Sequence, residues 1–128
     1  MARLALLLLV FAAAAQGVEV SPLETGLAAA SGACRLTRPA ASVQAQDAQI
    51  LVRFTARVAA GEGFTVEWVN PAGEVAESVP YTHLPAGRTV CVVNALQVGG
   101  FAPATQPGRW RVRVVSGGRV AGERDFEI

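Results

Sequence analysis

Residues Pro107–Ile128, PGRWRVRVVSGGRVAGERDFEI, alternate in character along their length. Taken two residues at a time, Trp110, Val112, Val114, Phe126 and Ile128 fall on one face. Arg109, Arg111, Arg113, Glu123, Asp125 and Glu127 fall on the other. Alternation with period two marks a half-buried strand, and the glycines between the two runs mark a hairpin. The charges suggest its register. With Arg109 opposite Glu127, Arg111 meets Asp125, Arg113 meets Glu123, and Trp110 meets Phe126. Each such cross-strand pair stabilises by roughly 0.2–1 kcal/mol. This register predicts a three-residue tip, Gly117-Gly118-Arg119. A two-residue Gly-Gly loop would instead pair an inward residue with an outward one and bury Glu123. A slip of two residues, with Arg111 opposite Glu127, also keeps the faces consistent. Arg124 sits on the inward parity in either case and has to reach out at the sheet edge.

Upstream, Ile50, Val52, Phe54, Ala56 and Val58 share one face of a strand whose other face carries Arg53, Thr55 and Arg57. Gly61-Glu62-Gly63 turns the chain, and Phe64, Val66 and Trp68 then point inward. Asn70-Pro71-Ala72-Gly73 suits a type I turn, with proline at the second position and glycine at the fourth. Glu74–Ser78 reads as a charged edge strand. Thr89–Val98 is apolar on both parities and predicts a central strand, its β-branched residues favouring strand over helix. Cys34–Thr37 could pair briefly, and 18–33 reads as an irregular arm with room for one short edge strand. The sum is an all-β domain, an immunoglobulin-like sandwich of about seven antiparallel strands over 34–128.

The first 17 residues have a different character. Arg3, the apolar run LALLLLVF and the small residues AAAAQG have the order of a secretory signal peptide, with cleavage after Ala15 or Gly17. The apolar run falls short of the roughly 20 residues of a spanning helix. A secreted or periplasmic chain that does not span the membrane after cleavage is therefore expected. Every basic residue is arginine, and without Arg3 ten arginines balance ten acids. That balance argues against nucleic acid as a partner. Cys34 and Cys91 are the two cysteines, and in an oxidising compartment one disulfide is expected. Closing that loop would stabilise by about 4 kcal/mol through chain entropy.

The runs LPAGRTVCVV, GGFAPATQPGRWRVRVVSGG and DFEI resemble the C-terminal half of uncharacterised secreted bacterial immunoglobulin-like domains. The matching positions are Leu84, Pro85, Gly87, Cys91, Pro107, Gly108, Trp110, Val112, Val114, Phe126 and Ile128. Trp68 followed by Asn-Pro-Ala-Gly also fits, so the resemblance extends over Cys34–Ile128. It departs at Arg124, where an apolar residue would be expected, and lacks a cysteine near Leu51. It implies a fold and no activity.

Few residues suggest chemistry. A blue-copper site needs two histidines and a cysteine, and a structural zinc site needs four ligands. His83 is the single histidine, so no cofactor or metal is expected. No nucleophile, phosphate-loop or metalloprotease motif occurs, and no enzymatic role is expected. Trp68 and Trp110 share parity with the apolar set, which places them in the core. The loop residues Tyr81, His83 and Phe101 are the candidates for a contact surface. The expectation is a non-catalytic binding or structural module with an unknown protein or glycan partner. The alternatives are a carbohydrate-binding accessory module and a strand-adding subunit of a surface assembly.

Overall fold

The computed structural model describes residues 17–128, and the rest of the expected signal peptide lies outside them. The strands are β1 (Val18–Val20), β2 (Glu24–Gly26), β3 (Gln49–Val58), β4 (Phe64–Val69), β5 (Val75–Tyr81), β6 (Thr89–Gln97), β7 (Arg109–Ser116) and β8 (Arg119–Glu127). They form two antiparallel four-stranded sheets. In the first, β3 pairs with β6 on one side and with both β1 and β2 on the other. The second runs β5-β4-β7-β8. This is an all-β sandwich, with eight strands where about seven were expected.

Alternation predicts the core residues of both sheets. Ile50, Val52, Phe54, Ala56 and Val58 of β3 face Phe64, Val66 and Trp68 of β4 and Trp110, Val112 and Val114 of β7, and all are buried. Trp68 meets Phe126 edge-on with centroids 5.7 Å apart, and Trp110 lies nearly parallel to Phe126 at 6.2 Å. The Trp110 indole donates to the Gln106 carbonyl at 2.8 Å, so its polar atom is satisfied inside the core.

The final hairpin adopts the register read from its charges: Arg109 opposite Glu127, Trp110 opposite Phe126, Arg111 opposite Asp125 and Arg113 opposite Glu123. Its tip corrects the expectation. Ser116 pairs with Arg119, so the loop is two residues, with Gly117 and Gly118 at φ of 56° and 74°. Two successive positive φ values make a type I′ turn, which matches the strand twist and strongly favours glycine. The parity conflict is absorbed further on. Val115 pairs with Val120 and Val114 with Gly122, leaving Ala121 as an extra residue on β8. This β-bulge restores the outward parity of Glu123.

Three further elements differ from the sequence reading. The segment 18–33 is not all irregular, because β1 and β2 both join β3 and bring Leu23 into the core. Residues 27–38 form a narrow flap, with Leu27 bonded to Arg38, Thr37 to Ala28 and Ala30 to Arg35. Cys34–Thr37 is one arm of this flap, which bridges through Leu36 and Ala29. The Cys34–Cys91 disulfide is formed and ties the flap to β6. Leu36 packs over Gly26, beside Leu51, and both leucines are buried apart from the main core. Finally, β6 is an edge strand, since β3 is its single neighbour among the described residues. Its mixed apolar parities have another cause: Cys91 carries the disulfide and Val93 stays exposed, while Val92 and Leu96 enter the core.

Candidate functional site

The two flanks of the sandwich are finished differently. On one, β8 passes under β1 and β2, where Val20 and Leu23 approach Gly122 closely. Ala41–Val43 then runs parallel to the end of β8, with Glu127 bonded to Ala41 and Val43 bonded to Glu127. That flank is sealed.

On the other flank β5 and β6 lie at the sheet edges. Among the described residues, β5 pairs with β4 alone and β6 with β3 alone, and neither backbone is bonded on its outer side. Unpaired edges template further pairing unless charge, proline or cover protects them. β5 is protected by Glu77 and Pro80. β6, TVCVVNALQ, has neither a charge nor a proline over nine residues. Its central residue, Val93, is 40% exposed.

The three sequence-predicted contact residues all lie along this flank without converging. Tyr81 is not a loop residue but the last residue of β5, paired with Phe64, and it is half-buried and stacked on that ring with centroids 5.1 Å apart. Its hydroxyl accepts a hydrogen bond from Asn94 Nδ2 at 3.0 Å, and Asn94 Oδ1 accepts from Trp68 Nε1 at 2.8 Å. Tyr81 therefore helps to join the sheets rather than presenting its whole ring to solvent. His83 lies in the β5–β6 connection, exposed, with φ of 58°. Phe101 lies beyond the other end of β6 and is 56% exposed. It lines a groove of about 610 Å³ with Val75, Glu77, Leu96 and Pro103.

Sequence reasoning missed Asn94. Its signal was a single amide on the same parity as Val92 and Leu96, two residues from each. An isolated polar side chain on a core parity needs an internal partner.

The arginine stripe of the last hairpin is neutralised by acids, and its pairing differs in one respect from the derived ladder. Arg111 holds Asp125 at 2.7 Å and also reaches Glu123 at 3.7 Å. Arg113 turns instead to Glu67 on β4, at 2.9 Å. The reason is that β7 lies between two strands, with Glu67 directly opposite Arg113 on the second side. The hydrogen bond from Arg111 holds the Asp125 carboxyl below its usual range, and Asp125 in turn raises the Arg111 guanidinium. Arg124 escapes the core side as its parity required, donating to the Leu23 carbonyl at 3.3 Å.

Among the described residues no group of three or more His, Cys, Asp or Glu side chains could hold a metal ion. Nor is any helix there long and apolar enough to cross a membrane. Fold and flank together define a disulfide-tied β-sandwich with one sealed edge and one open edge. No protein-family model matches the chain, and no curated protein matches it significantly.

Proposed function

We propose that this chain is a non-catalytic binding and structural module of the secreted or periplasmic space that associates by strand addition along β6. The compartment is supported by the disulfide and by the signal-like character of residues 1–17. The observation that carries the mode of association is the nine-residue edge without charge or proline, beside an edge that has both.

The occupant proposed for that edge is β6 of a second copy. An antiparallel pair in full register centres on Val93, the middle residue of Thr89–Gln97. An isologous contact of this kind closes after two copies. Because the strand carries no charge, the pairing sets no like charges opposite one another. A glycan platform is less well supported, since both tryptophans are fully buried. Phe101 is the one exposed phenylalanine, tyrosine or tryptophan among the described residues.

The test is sedimentation of the purified chain over a concentration series, with hydrogen exchange of the β6 amides at each end. Association with concentration-dependent protection of Thr89–Gln97 is expected. Val93→Lys should abolish both while leaving circular dichroism unchanged. A chain that stays monomeric at its solubility limit, with β6 unprotected, would overturn the proposal.

A further inference from the structure

The arginine stripe on the last hairpin has its acids, but a second group of three arginines has one carboxylate, Glu24, among them. A cleft of about 670 Å³ opens between the flap, β2 and β3 and is lined by Glu24, Thr25, Arg35, Pro39, Arg53 and Arg124, among others. Its three guanidiniums come from the flap, from the centre of β3 and from β8, so no local sequence pattern unites them. One carboxylate, Glu24, stands against them.

The existing partners of these arginines are weak. Arg53 is the most enclosed, its side chain 20% exposed. It donates Nε–H to the Cys34 sulfur at 3.3 Å, and Nη1 lies 3.5 Å from Glu24. Sulfur is a poor acceptor, and 3.5 Å is the outer limit of a useful bond. Arg124 has a backbone carbonyl at 3.3 Å. Arg35 has neither an ion pair nor a side-chain hydrogen bond among the described residues. By contrast, Arg111 and Arg113 hold carboxylates at 2.7 and 2.9 Å. A guanidinium presents five donors in a planar fork that fits carboxylate or phosphate oxygens two at a time. Gathering like charges in a cleft with low-dielectric walls concentrates the field on such an ion.

The walls are held in place. The Cys34–Cys91 disulfide pins the flap, and the buried Thr25 hydroxyl donates to the Ala40 carbonyl at 2.7 Å on the opposite side. From this arrangement we infer that the cleft is a binding site for a small multivalent oxyanion, engaged by Arg53, Arg35 and Arg124. The volume exceeds that of a single phosphate and accommodates carboxylate or phosphate groups on a small scaffold.

The experiment is a titration of the oxidised chain, at low ionic strength, with citrate and with inorganic phosphate in separate arms, followed by calorimetry. Saturable binding in either arm supports the site, and the stronger arm names the preferred oxyanion. Arg53→Ala should weaken binding about tenfold or more, the effect of losing one charge-assisted hydrogen bond. Should that variant fail to fold, Arg35→Ala tests the same site, because Arg35 is exposed and its flap hydrogen bonds are made by its backbone, which the substitution keeps. Arg57→Ala, on the same strand but outside the cleft, should change nothing. Reducing the disulfide should weaken binding by releasing the flap. Lack of saturation in both arms, or an equal loss in Arg57→Ala and Arg35→Ala, would overturn the inference.

Discussion

Replacing Asn94 by leucine tests the polar link between the sheets. Asn94 Oδ1 is the acceptor for the indole of Trp68, whose side chain is fully buried. Leucine matches the core parity of Val92 and Leu96 and keeps the branched shape and heavy-atom count of asparagine, and the half-buried position leaves room for its larger methyl groups. The main loss is therefore the acceptor. A buried donor left without a partner costs about 1–3 kcal/mol. The Tyr81 hydroxyl adds little, because that residue is half-buried and water can replace the lost bond. The added apolar surface offsets part of the penalty, so a net loss of about 1–2 kcal/mol is expected. In urea denaturation followed by circular dichroism, that moves the midpoint down by roughly 1 M with an unchanged slope. The double variant Asn94→Leu/Trp68→Phe supplies the control. With no indole N–H to orphan, the asparagine change should cost almost nothing, giving a coupling of about 1–2 kcal/mol. A single-variant loss below about 0.5 kcal/mol, the level of an ordinary surface change, or a coupling near zero, would refute the reasoning.

Other outcomes follow from the same geometry. Trp110→Ala removes a fully buried ring and should cost about 3–5 kcal/mol in the same urea assay; a loss under about 1 kcal/mol would mean the ring is not core. Thiol titration of the unfolded chain without reductant should find no free thiol, because Cys34 and Cys91 are joined. Arg111→Glu should lower the melting temperature modestly, and Asp125→Arg in the same chain should restore part of it. High salt should shrink that coupling, since the pair is exposed. Asp125 also predicts the direction of a pH effect. Its folded value is depressed, so its stabilisation is present above the ordinary aspartate value of about 4. That stabilisation is lost as pH falls through the lower folded value. Asp125→Asn should flatten this part of the acid titration of stability.

What the sequence determined by itself is what depends on parity, sign and neighbouring residues. The last hairpin shows it best. Alternation gave its two faces, and three opposed charge pairs favoured one of two registers consistent with those faces, the one the folded chain keeps. Trp68, Trp110 and Phe126 were legible as core for the same reason. The disulfide was legible because the signal-like first 17 residues led to the expectation of an oxidising compartment, and two cysteines have one way to pair. The tertiary structure decided what depends on pairing between distant segments. Whether an apolar run such as Thr89–Gln97 is central or at an edge depends on which strands flank it, and period-two alternation does not encode neighbours. Arg113 chose Glu67 over Glu123 because β7 has a strand on each side, and the sequence of one hairpin shows one side alone. The bulge at Ala121 restored a parity that counting alone had assigned to a longer loop. The flap is closed by its own backbone hydrogen bonds and fastened to β6 by the Cys34–Cys91 bond, across 57 positions. Arg35 of the flap, Arg53 of β3 and Arg124 of β8 line one cleft, a meeting of charges that no local pattern could announce.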